Sequence, residues 1–251
     1  MSILIQFVLR VSFGLALAMA VTPPKQVTSG YYRNHLYVLL GLNVLATMVA
    51  LSAPSRFPLW PPLAAAVLSY VGSVAWLYEK PRIGLLTLVL IAGAAASGAW
   101  LAIDFSRTDC WAGRVLVLLD PLTSGLVLGG TLAAMFLGHW YLNTPTMVLA
   151  PLQRLVVFMA LAIVARAVVC AAGLTLELVY GQPLGSDGLL FVLLRWLSGI
   201  AGGLAVATMT WQTLKIPNTQ SATGILYVGV IATFLGELTS LLLSTQTKYP
   251  L

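Results

Sequence analysis

The sequence predicts an all-α polytopic bundle of about eight membrane-spanning helices. Three observations carry this. Only 8% of the 251 residues are charged, while 59% are hydrophobic. The apolar residues gather in blocks that reach the ~20 residues a spanning helix needs at 1.5 Å rise each. None of the blocks shows the alternation that the ~10-residue strands of a membrane barrel require.

Span 1 covers 3–21. Ala18-Met19-Ala20 has the small-x-small form of a signal-peptide cleavage site. No Lys or Arg precedes the apolar core, however, and Arg10 lies inside it, so a retained helix is expected rather than loss of residues 1–20. Span 2 (34–52) follows Ser29-Gly30-Tyr31-Tyr32-Arg33 and opens on Asn34-His35. Span 3 (61–78) opens on Pro61-Pro62, a helix-start position that tolerates proline. Span 4 (84–103) carries the small-residue run Gly93-Ala94-Ala95-Ala96-Ser97-Gly98.

Span 5 (118–141) starts near Asp120-Pro121, carries Gly125 and Gly129-Gly130, and ends on His139-Trp140-Tyr141. Span 6 (146–172) has Pro151 near its start and Arg166 and Cys170 near its end. Span 7 (189–212) holds Arg195, Gly199 and Gly202-Gly203, and span 8 (223–244) holds Glu237. Small residues let helix backbones approach closely in lipid, so spans 4, 5 and 7 are expected at the bundle centre.

No span has a proline at its middle, so the broken helices of secondary transporters are not signalled. Spans 5 and 7 resemble one another: Ser124-Gly125, Gly129-Gly130, Ala133 and Met135 run parallel to Ser198-Gly199, Gly202-Gly203, Ala207 and Met209. Coincidence in a Gly- and Ala-rich chain is the stronger reading of that likeness. An inverted repeat would need an odd number of helices per half, which four plus four does not supply.

The longest stretches outside the spans, 104–117 and 173–188, are too short for a globular domain. Residues 1–251 therefore read as a single transmembrane domain. A pI near 9.6 would suggest nucleic acid in a soluble protein. Here the cations border the spans and serve as topology signals and contacts for anionic lipid, so no nucleic acid is expected. Loops after the odd-numbered spans carry Lys25, Arg33, Lys80, Arg82, Arg154 and Lys215, against Arg56, Arg107, Arg114 and Lys248 on the other face. The positive-inside rule places the odd face in the cytoplasm, as in a bacterial-type inner membrane, with both termini on the opposite face.

Ionisable groups in hydrocarbon are costly, so each needs a partner or a role. Arg10, Asp120, Arg166, Arg195 and Glu237 lie inside or at the ends of spans. When the alternating direction of the helices is counted, all five fall in one layer near the even face, Asp120 shallowest. Arg195–Glu237 and Arg166–Asp120 pairs would lock neighbouring helices. The same layer could instead be a proton path or a binding pocket.

The two histidines map to the opposite face. His35 and His139, with Tyr141, Asn143 and Arg154 nearby, form a candidate quinone or partner-docking site. An ordinary aromatic belt is the competing reading. Haem b is disfavoured, because a bis-histidine haem sits deeper, and a two-haem cytochrome would need four ligands. Cys110 and Cys170 share the even face, where a disulfide is chemically allowed, but two unpaired thiols are expected. There is no CxxC, HExxH, P-loop, GxSxG or glycosylation sequon, so neither a metal site nor a catalytic motif is indicated.

These readings favour an integral subunit of a respiratory or redox membrane complex, not catalytic by itself. It would touch the lipid bilayer and other membrane or peripheral subunits and offer a quinone or docking site, with the charged layer as a candidate proton path. The alternatives are a small-solute or ion transporter and a structural or assembly subunit without ligand. The architectural analogy is to multi-helix membrane anchors of respiratory oxidoreductases.

Overall fold

The computed structural model describes residues 3–52, 57–103, 110–144, 146–181, 185–216 and 218–251. The first four helices are α1 (Ile3–Val21), α2 (Ser29–Ser52), α3 (Trp60–Leu77) and α4 (Pro81–Leu101). Then come α5 (Trp111–Asn143) and α6 (Ala150–Tyr180). The seventh span joins α7 (Ser186–Leu194), a π segment (Arg195–Gly202) and α8 (Gly203–Lys215), and α9 (Thr219–Leu243) is the last. Eight spans are long and apolar enough to cross a bilayer, and no strand occurs among the described residues. The protein is an integral, multi-pass, all-α membrane protein.

Three boundaries differ from the sequence reading. The second span begins at Ser29, so the Tyr31-Tyr32-Arg33 stretch is helical. α5 starts at Trp111 and α6 runs on to Tyr180, with 33 and 31 residues. At 1.5 Å per residue they are ~50 and ~46 Å long, well beyond a ~30 Å hydrocarbon core. Both extensions lie towards the same face and have local causes. The Cys110 sulfur caps α5 by accepting from the Gly113 amide at 3.3 Å. Glu177, near the end of α6, is buried under the segment that follows α9. Consequently Pro121 lies inside α5 rather than at its start, where its missing N–H leaves the Val117 carbonyl without a helical donor.

The helices pack as two rings. α1 touches α2, α2 touches α3, α3 touches α4, and α4 closes back onto α1. In the second ring α5 touches α6, α6 touches the seventh span, that span touches α9, and α9 closes back onto α5. The rings meet mainly along α1 and α5, with α4 reaching α5 and α9 reaching α1. Exchanging the two halves keeps the order of contacts within each ring and the α4–α5 and α9–α1 contacts, and it preserves each helix's direction, unlike an inverted repeat.

The crossing of α1 and α5 explains its glycines. A Cβ on Gly14 would run into the Gly125 carbonyl, and a Cβ on Gly129 into the Gly14 backbone. This correction moves the bundle centre to α1 and α5. α4 sits beside α1, with Gly93 facing open space, and the seventh span lies diagonally across its ring from α5. Gly199 of the π segment instead brings its backbone against Gly236 of α9.

Candidate functional site: a buried ion chain beneath a cavity

The five charged residues expected in one layer form one continuous chain. Asp120 sits between two arginines. Its Oδ2 lies 2.6 Å from Arg10 Nη2, and its Oδ1 lies 2.6 Å from Arg166 Nη1. Arg166 then turns a two-pronged face to Glu237, with Nη2 2.9 Å from Oε2 and Nε donating to Oε1 at 3.1 Å. Glu237 Oε1 also lies 3.3 Å from Arg195 Nη2. The order is Arg10–Asp120–Arg166–Glu237–Arg195, alternating in sign and crossing from α1 through α5, α6 and α9 to the seventh span. Both expected pairs, Arg166–Asp120 and Arg195–Glu237, are present. The Arg10–Asp120 and Arg166–Glu237 links were not foreseen.

Burial is nearly complete: the Arg166 and Arg195 side chains are 0% exposed and Glu237 1%. Asp120, at 14%, is the most exposed of the five. With α5 starting at Trp111, it lies ~13 Å along its helix, close to the ~10 Å of Arg10 along α1. Neutral acceptors complete the network. Arg166 donates to Thr123 Oγ1 at 3.3 Å and to Ser240 Oγ at 3.1 Å. Arg195 donates through Nε to the Leu251 main-chain oxygen at 2.6 Å and through Nη2 to the Cys170 sulfur at 2.8 Å. Cys110 and Cys170 are both free thiols. All four carboxylate oxygens of Asp120 and Glu237 face a guanidinium, a geometry suited to holding helices rather than to passing protons.

Above the Arg10 end lies a cavity of about 560 Å³. Gln6, Arg10, Asp120, Thr245, Lys248 and Tyr249 supply its polar wall, and Leu101 and Val117 are among its apolar members. Arg10 is positioned by Asp120 and by Gln6, whose Oε1 accepts from Arg10 Nε at 3.4 Å. Gln6 is in turn anchored by donating to the Ala99 carbonyl at 3.1 Å. The walls come from α1 and α5 and from the far ends of α4 and α9, the first and last helices of each ring. The cavity thus straddles the seam between the two rings.

The opposite face is built differently. His35 Nδ1 donates to the Tyr31 carbonyl at 2.6 Å, and its ring stacks on Phe136 with centroids 4.4 Å apart. Tyr31 packs edge-on against Tyr32, which stacks on Trp76 at 3.9 Å. Trp140 Nε1 donates to Thr28 Oγ1 at 2.9 Å. This aromatic seam ties α2 to α3 and α5. His139 is exposed, with Nδ1 3.5 Å from Tyr227 Oη. Tyr141 is buried and donates to the Val148 carbonyl at 2.5 Å, fastening the turn that follows its helix. Asn143 and Arg154 are exposed. No hydrogen bond among the described residues joins His35, His139, Tyr141, Asn143 and Arg154 to one another.

Sequence reasoning missed Gln6, Glu177, Ser240 and the segment 244–251. Glu177 was readable as a lone carboxylate in an apolar stretch. The other three look like ordinary polar residues.

Comparisons with family models, with curated proteins and with solved structures returned no match.

Proposed function

We propose that the chain is an integral subunit of a membrane redox complex and binds a quinone head group in the cavity above Arg10 and Asp120, not at the histidine face. The cavity itself carries the reading. Its volume falls within the range of ligand sites, it opens between the two rings, and it combines a few converging polar groups with apolar walls. A quinone offers two carbonyl acceptors on an apolar body. Arg10, Gln6, Lys248 and Tyr249 carry N–H or O–H donors into the same cavity. Arg10 is already fixed by Asp120 and Gln6, so little freedom is lost on binding. The loops are too short for a redox domain, so electrons would come from a partner subunit.

The test is purification in mild detergent, extraction and analysis of bound quinone, and photolabelling with a short-chain azidoquinone. Labelling should fall on the peptides around Gln6 and Lys248. Arg10→Gln should weaken saturable binding about tenfold, the ~1.4 kcal/mol of one good charge-assisted hydrogen bond. Absence of both bound quinone and saturable labelling would sink the proposal. The two guanidiniums held by each carboxylate favour a structural lock as the role of Arg166, Arg195 and Glu237 in this subunit.

A further inference from the structure

The segment after α9 leaves the helix through a turn, and its second half is largely buried. Residues 244–251 turn back across the start of α5, the end of α6 and α7, and Thr247, Tyr249 and Leu251 are nearly inaccessible. Hydrogen bonds and packing seat it, with the Tyr249 hydroxyl 3.7 Å from the Cys110 sulfur and Leu251 packed with Val192 and Leu243. Glu177 Oε2 accepts from the amides of Lys248 and Tyr249 at 3.0 and 3.1 Å. The Leu251 main-chain oxygen accepts from Arg195 Nε at 2.6 Å and from Ser240 Oγ at 2.7 Å. The Pro250 carbonyl lies where a Cβ on Gly173 would be, and the Tyr249 ring lies against Gly113.

We propose that residues 244–251 are a displaceable strap that closes one wall of the cavity and covers Arg195 and Cys170. The helices beneath it are held by continuous main-chain ladders and broad packing. Past Thr247 the strap has no such ladder, so it is the part of this face that opens at least cost. Thr245, Thr247, Lys248 and Tyr249 line the cavity, so a molecule filling it makes part of its contacts with the seated strap. Occupancy and seating are then linked: whatever binds the cavity holds the strap down, and release of the strap weakens binding by the same factor. Only this linkage rests on the cavity being a ligand site. The strap's mobility does not.

Cys170 is the reporter. In a Cys110→Ser chain it is the single thiol, fully buried, with its sulfur against the guanidinium that holds Leu251. Gly173→Ala pushes on Pro250, and Glu177→Ala leaves two strap amides without their acceptor. Each should raise the N-ethylmaleimide labelling rate of Cys170 about tenfold or more in protein that still unfolds cooperatively. Unchanged rates in both folded variants would overturn the proposal. Hydrogen exchange on the unmodified protein reads the same opening without substitution. The amides of Lys248 and Tyr249 should exchange well before those of α9, and exchange only together with α9 would also overturn it. Added short-chain quinone should slow both readouts. If it does not while the strap still opens, the linkage and the quinone assignment fail and the strap stands.

Discussion

Replacing Glu237 by Gln keeps the shape of the ion chain and removes one charge from it. The chain holds three arginines and two carboxylates. Without the Glu237 charge, Arg166 and Arg195 face each other across a neutral amide, with Asp120 as the one remaining anion of the five. The Gln oxygen can still accept from Arg166 Nε, so the loss is of charge rather than of every hydrogen bond. Breaking a buried pair by removing one partner costs about 3–5 kcal/mol, because the remaining charge stays desolvated. For a chain of this size each kcal/mol moves the midpoint by about 2–4 °C, so Glu237→Gln should lower Tm by roughly 6–20 °C. The assay is a detergent-solubilised thermal scan at fixed rate, read as the fraction remaining monodisperse. The decisive arm is the second variant, Glu237→Gln with Arg195→Met. It deletes the cation that lost its partner and should recover part of the loss, giving a favourable coupling energy in the double-mutant cycle. A shift below about 2 °C for Glu237→Gln, or a double variant no more stable than additivity allows, would refute the claim that charge pairing holds this layer.

The α1–α5 crossing predicts a contrast between two glycines. Gly129→Leu should abolish the monodisperse fraction on size-exclusion chromatography, because its side chain must enter the Gly14 backbone, whereas Gly93→Leu points into open space and should leave the profile unchanged. The two histidines should likewise separate by stability. His35→Ala loses ring contacts with Tyr31 and Phe136 and one hydrogen bond, about 2–3 kcal/mol, while exposed His139→Ala should stay within ~0.5 kcal/mol by the same thermal scan.

Much of this architecture was legible in the chain. Every span announced itself because a helix in lipid must be apolar along its whole length, and Arg10, Arg166, Arg195 and Glu237 stood out against that background. Their common layer followed from alternation of direction alone. The order of links along the ion chain did not, because it depends on which helices are neighbours. The ends of α5 and α6 were hidden for a different reason. Arg114 and Glu177 make residues 111–117 and 173–180 look like loop, and only their packing against the strap shows why they stay helical. The contact order sets α5 against α1 and the seventh span against α3, a correspondence that the likeness of spans 5 and 7 does not signal, and the halves cross where Gly14 meets Gly125.

The seam between the two rings has a consequence for how such a charge arrangement can exist at all. Two identical four-helix subunits joined through the same faces would set each residue near the axis opposite its own copy. An arginine there would confront an arginine, and an aspartate an aspartate, at a depth where unlike neighbours are needed. Two rings of different sequence in one polypeptide are free of that constraint. The first contributes Arg10 while the second contributes Asp120, so the attraction across the seam is a property of the difference between the halves.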